Sequence, residues 1–280
     1  MASFISRWFY YGKLRFLGRI GYRAIITIEL FCHRIYDLLF PFKPTCLDDF
    51  TVIIKTFERP KILKRLIRSI RRFYPDIKII VADDSRNPVL IHGVKTLPLP
   101  YDSGVSAGRN AALSSVETEY TLLLDDDFLF FRKTDLHRAL SLMKRYPEVV
   151  ILGGKVINLP FYNSTDYRNA NLFPTDAGPI KPIGSYIGKL EVLDKVPNFY
   201  IGKTAGIRKV GWDEQLTRLD HADFFTRARG VLTICYYPKL QVLHAQTIFD
   251  DEYQRHREND AFDKGVLYRR YFGKQTKTNH

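Results

Sequence analysis

Three features of the sequence predict an α/β fold built on a mostly parallel, doubly wound sheet. From Phe50 onward, short apolar runs alternate with amphipathic stretches, the pattern that parallel strands and crossover helices produce. Three of those runs end in acidic or polar residues, where an open α/β sheet gathers its ligands. A composition of 45% hydrophobic and 26% charged residues over 280 positions supports a sizeable core and excludes a disordered or fibrous chain.

The elements follow in order. Residues 51–55 (TVIIK) read as a buried strand, and Pro60 suits the first position of a helix. In that helix Ile62, Leu63, Leu66, Ile67, Ile70 and Phe73 recur at helical spacing. Residues 77–82 (IKIIVA) and 94–97 predict two more strands, 106–115 a helix, 120–124 (YTLLL) a strand, 134–146 a helix and 149–153 a strand. Residues 158–190, rich in Pro, Gly, Asn and Tyr, predict an irregular excursion over the site. Residues 251–280 read as a polar, helical and peripheral tail.

Charge is the unusual term. Lys and Arg number 43 against 30 Asp and Glu, a net +13, which with 14% aromatics points to a polyanionic surface, a nucleic acid or a phosphorylated ligand. Residues 1–45 hold seven basic side chains, two acidic ones and eleven aromatics. Their most apolar span, 24–42, is interrupted by Glu29, His33, Arg34 and Asp37, which disfavours a transmembrane helix and leaves no clean core for a cleavable signal. Two readings remain: a basic, aromatic helix lying in the plane of an anionic membrane, or an extension packed on the main domain or on another subunit. Pro41 and Pro44 mark its boundary. Cys32, Cys46 and Cys235 are too few and scattered for a disulfide framework or a zinc site.

Chemistry is expected at the strand ends. Thr56, Glu58 and Arg59 follow the first strand, Asp83 and Asp84 the second, and Asp125, Asp126 and Asp127 the run YTLLL. Three adjacent carboxylates raise each other's pKa unless a cation neutralises them. A hard divalent ion, Mg²⁺ or Mn²⁺, takes oxygen ligands and keeps positions for phosphates, so a metal bridging protein to a nucleotide diphosphate accounts for the triplet. The plainer alternative is an acidic turn capping the next helix. Residues 102–110 (DSGVSAGRN) form a Gly-containing turn into a helix but not the G-x-G-x-x-G fingerprint, which disfavours a nicotinamide enzyme. Arg109 there suits either a phosphate or the task of holding the acidic triplet in register.

TFERP, ADDS, GRN, the DDD after YTLLL, NFYIGKT with VGWDEQL, DHADFF and VLHA, in this order and spacing, resemble the inverting GT-A glycosyltransferases of family two. Within it the likeness is strongest to the ganglioside-type β-1,4-N-acetylgalactosaminyltransferases. The resemblance covers roughly residues 50–248. It implies a GT-A catalytic domain over 50–250, with a nucleotide-binding half (50–130) and an acceptor half (131–250), between an extension (1–45) and a tail (251–280). It further implies that Thr56, Glu58 and Arg59 line the nucleotide pocket, that Asp83 and Asp84 bind uracil or ribose, and that Arg109 sits beside sugar and diphosphate. Asp127 would hold Mn²⁺ or Mg²⁺ with His244, while Asp125 or Asp126 contacts the ribose or donor sugar.

Inverting transfer needs a base for the acceptor hydroxyl. The segment Asp220-His221-Ala222-Asp223 supplies three candidates, His221, Asp223 and Asp220. His221 aligns with the family's catalytic Asp and has a suitable pKa, but the alternatives stay open, as does a plain capping role for the segment. Trp212 and Asp213 lie in a loop that the resemblance places near the acceptor, where an indole makes a sugar platform. A core Trp is the equal alternative.

The activity implied is metal-dependent, inverting transfer of a hexose or N-acetylhexosamine from a UDP-sugar to a hydroxyl of a glycan or glycolipid. Its expected setting is peripheral, at the cytoplasmic membrane face, with a Golgi lumen as the alternative. Asn163-Ser164-Thr165, a glycosylation sequon, matters only in a secretory lumen. Two competing functions are a nucleic-acid or polyanion binder using Lys61, Lys64, Arg65, Arg68, Arg71 and Arg72, and a sugar nucleotidyltransferase. A distributed charge excess needs no nucleic acid to explain it.

Overall fold

The computed structural model describes residues 12, 14–40, 46–169, 171–246 and 249–273, and the backbone alone of Glu252 and Arg257. The rest of the expected extension, with Pro41 and Pro44, and the end of the tail lie outside them.

Helix α1 (Arg15–Leu39) precedes the sheet domain. There follow β1 (Phe50–Thr56), α2 (Pro60–Phe73), β2 (Lys78–Asp83), β3 (Lys95–Pro98), α3 (Val105–Ser114), β4 (Tyr120–Asp125), β5 (Phe128–Leu129) and α4 (Leu136–Arg145). The second half holds β6 (Ile151–Asn158), β7 (Tyr186–Ile187), β8 (Leu190–Val192), β9 (Tyr200–Lys203), α5 (Thr204–Val210), α6 (Asp220–Ala228) and β10 (Ile234–His244). Helices α7 (Asp251–Glu258) and α8 (Ala261–Tyr271) close the described chain.

The strands form one sheet in the order β3-β2-β1-β4-β9-β6-β10-β8-β7, with β5 paired to β10. β1 runs parallel to both β2 and β4. The chain winds outward from β1 to β3 and returns to β4 on the other side, so the carboxyl ends of β1 and β4 flank a topological switch point. Register brings the polar ends level there, with Thr56 opposite Asp83 and Lys55 opposite Asp125.

Both faces of the sheet are covered, which is why its central strands read as continuous apolar runs rather than alternating ones. Val52, Ile54, Leu122 and Leu124 pack with α2 and α4 in one core, while Ile53 and Leu123 pack with residues of α3, α5 and α6 in the other. The fold class expected from the sequence is the one observed. β9 was not foreseen: four residues long, it enters antiparallel between β4 and β6. The tail is helical as expected but not peripheral, because Asp263, Val266 and Leu267 are buried and the two apolar ones pack on Leu216.

Candidate active site

A cleft of about 460 Å³ opens at the switch point. Its floor is the acidic triplet, which straddles the end of β4 and the turn into β5. The three carboxylates have different fates. Asp126 points inward, where its Oδ2 accepts a hydrogen bond from Thr56 Oγ1 at 2.7 Å and its Oδ1 pairs with Arg59. Burial, opposed by Arg59 and reinforced by Asp127 and Asp125, pushes the Asp126 pKa up to about 6. Asp127 accepts from Arg59 Nη1 at 3.2 Å. Burial alone would lower the Arg59 pKa, but Asp126 and Asp127 raise it, so the guanidinium stays charged. Asp125 is the open member: its side chain is 37% exposed and its Oδ1 accepts from Arg109 Nη2 at 2.9 Å.

Arg109 thus takes the register-holding role of its two expected ones. Buried on α3, it donates to Asp125 and, through Nη1, to Asp220 Oδ2 at 2.6 Å, tying the end of β4 to the start of α6. Gly108 beside it leaves a gap: a Cβ there would lie 2.5 Å from Lys55 Cγ and would force the lysine to shift. That gap lets Lys55 cross α3 to reach Asp84 Oδ1 at 2.7 Å and line the cleft. Gly104, at φ 92°, begins α3 in a conformation that favours glycine, and a Cβ there would meet the Thr217 backbone at 2.6 Å.

His244, at the end of β10, reaches Asp127 because β5 pairs with β10 and sets Phe128 opposite His244. Its Nε2 is 3.2 Å from Asp127 Oδ1. Its Nδ1 lies 2.8 Å from Asn158 Oδ1, and the Asn158 amide is oriented by donating to Asn163 Oδ1 at 3.0 Å. Nδ1 therefore carries the proton, leaving the Nε2 lone pair facing a carboxylate oxygen, an arrangement that calls for a proton or cation between them. The donor set fits a divalent ion on that ground. Among the described residues no cluster of three or more His, Cys, Asp or Glu side chains forms a metal cage. Asp127 and His244 would then be two protein ligands, with diphosphate oxygens completing the ion's shell.

The three base candidates separate. His221 and Asp220 both line the cleft. His221 Nε2 donates to the Val196 carbonyl at 2.8 Å, which fixes the proton on Nε2 and keeps the Nδ1 lone pair. Burial first, then the Lys195 and Arg109 charges, push the His221 pKa down to about 3, so the ring is neutral; the expected pKa near the operating pH is corrected, because burial disfavours the charged ring. Burial raises the Asp220 pKa, and the Arg109 guanidinium opposes that rise. Asp223 does not face the cleft. It is fully buried against α8, accepting from Arg227 Nε at 2.8 Å, Arg270 Nη1 at 2.7 Å and Tyr271 Oη at 2.7 Å. The expectation of a catalytic Asp223 is corrected: its lone pairs are spent on a structural ion-pair network.

Other expected contacts also fall elsewhere. Asp83, for uracil or ribose, accepts instead from the Ser85 and Val89 amides at 3.0 and 2.9 Å and shapes the turn after β2. Asp84 accepts from Gly104 N at 3.0 Å and holds Lys55, so both aspartates stand behind the cleft wall. Thr56 is buried on Asp126, and exposed Glu58 caps the Arg86 amide at 2.9 Å, while their neighbours Lys55, Phe57 and Arg59 line the cleft. Trp212 is no sugar platform: it is 5% exposed and stacked on Phe224, with ring centroids 5.1 Å apart. Asp213 pairs with Arg270 of α8.

Sequence reasoning missed Lys55, Arg218, Asn158, Tyr253 and His256, which all line the cleft. A lysine in the last turn of a buried strand was the available signal for Lys55. Arg218 is held by Asp102 Oδ1 at 2.6 Å and the His256 carbonyl at 2.8 Å. The loop carrying it is pinned by Asp263, whose carboxylate accepts from the amides of Thr217, Arg218 and Leu219 at 3.2, 2.6 and 2.9 Å.

Comparison with known proteins agrees with this geometry. Residues 51–214 match the family described as Glycosyl transferase family 2. The mouse beta-1,4 N-acetylgalactosaminyltransferase 2 is 35% identical over 201 residues, 69% of this chain and 39% of that protein. Human beta-1,4 N-acetylgalactosaminyltransferase 1 is 35% identical over 211 residues, 71% of this chain and 39% of that protein. The chain therefore spans about two fifths of the length of these relatives. The crystal structure of S. aureus TarS 1–349 superposes with a TM-score of 0.55 at 20% identity, covering 70% of this chain and 60% of that one, which supports the GT-A architecture. With more than half its length matched and a third of the aligned residues identical to the relatives, the chain belongs to glycosyl transferase family 2.

Proposed function

We propose that this chain is the catalytic domain of an inverting glycosyltransferase that moves an N-acetylhexosamine from a UDP-sugar to a hydroxyl of a glycan or glycolipid. The observation that carries the reading is the Arg109 bridge: one buried guanidinium couples Asp125, on the donor side, to Asp220, on the acceptor side. A nucleotide binder with no second substrate has no need of that coupling. The choice of sugar follows the names of the curated relatives, both N-acetylgalactosaminyltransferases.

In this reading Lys55 and Arg218 offset the diphosphate charge along one wall, and Asp125 meets the donor ribose or sugar. Asp127 and His244 would hold Mn²⁺ or Mg²⁺, which supplies charge neutralisation on the leaving diphosphate. His221 is the base. Its Nδ1 takes the proton of the acceptor hydroxyl as that oxygen attacks the anomeric carbon, and the carbon–diphosphate bond breaks on the opposite face. The Val196 carbonyl on Nε2 holds the ring in place and steadies the imidazolium formed. Asp220 positions the start of α6 through Arg109.

The polyanion reading loses ground because half of the basic face on α2 is engaged. Arg71 donates to the carbonyls of Pro75, Ile77 and Gly93, Arg72 pairs with Asp37, and Arg65 donates to Ala245. The test is a screen of nucleotide sugars for turnover and thermal stabilisation, with Mn²⁺ and with EDTA. UDP-N-acetylgalactosamine should be turned over, and Asp127→Ala should abolish divalent-dependent turnover with the fold intact. Full activity of that variant, or of the wild type in excess EDTA, rejects the metal assignment. Absence of any nucleotide-sugar effect rejects the reaction.

A further inference from the structure

Helix α1 is amphipathic in an inverted sense. Both its carboxylates face the domain: Asp37 pairs with Arg72 and Arg132, and Glu29 accepts from Tyr162 Oη. Tyr22 donates to the Gln246 carbonyl at 3.0 Å, and Ile26 packs with Leu129, Leu159 and Leu243. The outward face carries the large apolar side chains, Phe16 at 70% exposure, Ile28 and Phe31 at 60% and Leu38 at 71%, with Ile20 and Leu39 between and beyond them. Along one edge of that face run Arg19, Arg23 and Arg34, all exposed. At 100° per residue the three fall within a 60° arc; Asp37 lies at the angle of Arg19 but is drawn inward by Arg72 and Arg132, and no acidic residue of the helix falls among the exposed apolar side chains.

An apolar face of this size would ordinarily be turned onto the protein. Here 25 residues, about 37 Å of helix at 1.5 Å per residue, keep it outside and spend the polar residues on docking. No described helix is long and apolar enough to cross a membrane. We propose that α1 lies in the plane of an anionic lipid bilayer, its apolar face among the acyl chains and Arg19, Arg23 and Arg34 on lipid phosphates. The charge pattern selects this occupant: a cationic rim beside an acid-free apolar strip complements an anionic interface, whereas a second copy apposing the same face would bring like charges together. Residues upstream of the helix continue the pattern in sequence, with Arg7, Trp8, Tyr10 and Tyr11 of types that favour the headgroup zone.

Given the reaction proposed above, the placement of α1 also bears on the acceptor. α1 borders the cleft through Tyr22 and Gln246, and a groove of about 670 Å³ along it shares Arg59 and Gln246 with the cleft, so the acceptor is one carried at the lipid surface.

Co-sedimentation of the full chain with phosphatidylcholine vesicles, with and without phosphatidylglycerol, tests the membrane placement without reference to activity. The wild type should bind the anionic vesicles at least about tenfold better than the neutral ones, and less well in high salt. I28E/F31E, both exposed positions, should reduce binding by at least about tenfold with an unchanged melting temperature, and R19Q/R23Q/R34Q should remove the preference for anionic lipid. In Phe31→Trp, the indole emission should shift to the blue when anionic vesicles are added. Equal binding by wild type and I28E/F31E, no blue shift, or a stable dimer that I28E/F31E dissociates and that ignores vesicles would each overturn the proposal.

Discussion

The two sides of the cleft are built on different principles. On the donor side, parallel strands set Thr56 opposite Asp83 and Lys55 opposite Asp125 by sheet register, and the polar clusters follow directly on buried runs. On the acceptor side, the start of α6 is set by side chains from distant parts of the chain: Arg109, Arg270 and Tyr271, the last two 47 and 48 residues from Asp223. A backbone ladder positions residues by their number along the strand, whereas an ion-pair network positions them by whichever partner is nearest. Adjacent carboxylates can then do unrelated work, and Asp220 and Asp223 do.

The sharpest break in this comparison lies between His221 and Asp223. His221→Ala should lower kcat per folded molecule by about 10²–10⁴-fold, a loss far out of proportion to its cost in stability, as loss of a general base does. Steady-state kinetics beside a thermal melt measures both quantities. Arg109→Met joins the two regions in one variant. It leaves Asp220 buried without its partner and should destabilise the fold by about 3–5 kcal/mol, with turnover lost alongside. If chemical denaturation shows wild-type stability, the bridge is not what couples the two walls. Asp223→Ala should show the opposite profile to His221→Ala. Its three donors lose their acceptor and stability falls by about 2–3 kcal/mol, while kcat per folded molecule stays within a few-fold of wild type. A loss of kcat without a loss of stability would return Asp223 to the chemistry.

A smaller effect concerns pH. In the folded chain the His221 pKa is about 3, against 6.5 for an unperturbed imidazole. Between these values the unfolded chain holds the extra proton, so this residue's contribution to stability is complete above about pH 6.5 and is lost as pH falls toward 3. His221→Gln should flatten that part of the stability profile. The readout is the difference from wild type, because Asp126, raised to about 6, acts in the opposite sense over part of the same range.

The donor half was legible for a physical reason. A strand buried on both faces must be continuously apolar, and acids directly after it stand out, so β1, β2 and β4 and the triplet all read directly. Which acid enters the cleft did not read. Asp84 turns away because Lys55 crosses the gap at Gly108, and Asp126 turns in because Thr56 and Arg59 are there, contacts spanning up to 70 residues. β9 escaped notice because four residues with a glycine carry too little periodicity. Trp212 and Trp residues like it read equally well as platform or core, and only its stacking on Phe224 decides.

The carboxylate of Asp263 also sets how this molecule comes apart. It is the shared acceptor of the amides of Thr217, Arg218 and Leu219, and α8, which carries it, also supplies Arg270 and Tyr271 to Asp223. Peeling α8 from the body frees all three amides at once, ahead of the central strands. Hydrogen–deuterium exchange should therefore find the amide protons of residues 217–219 exchanging as a set, at one common rate faster than that of β1 and β4. That rate is the lifetime of the acceptor wall, a clock kept by a helix that touches no substrate.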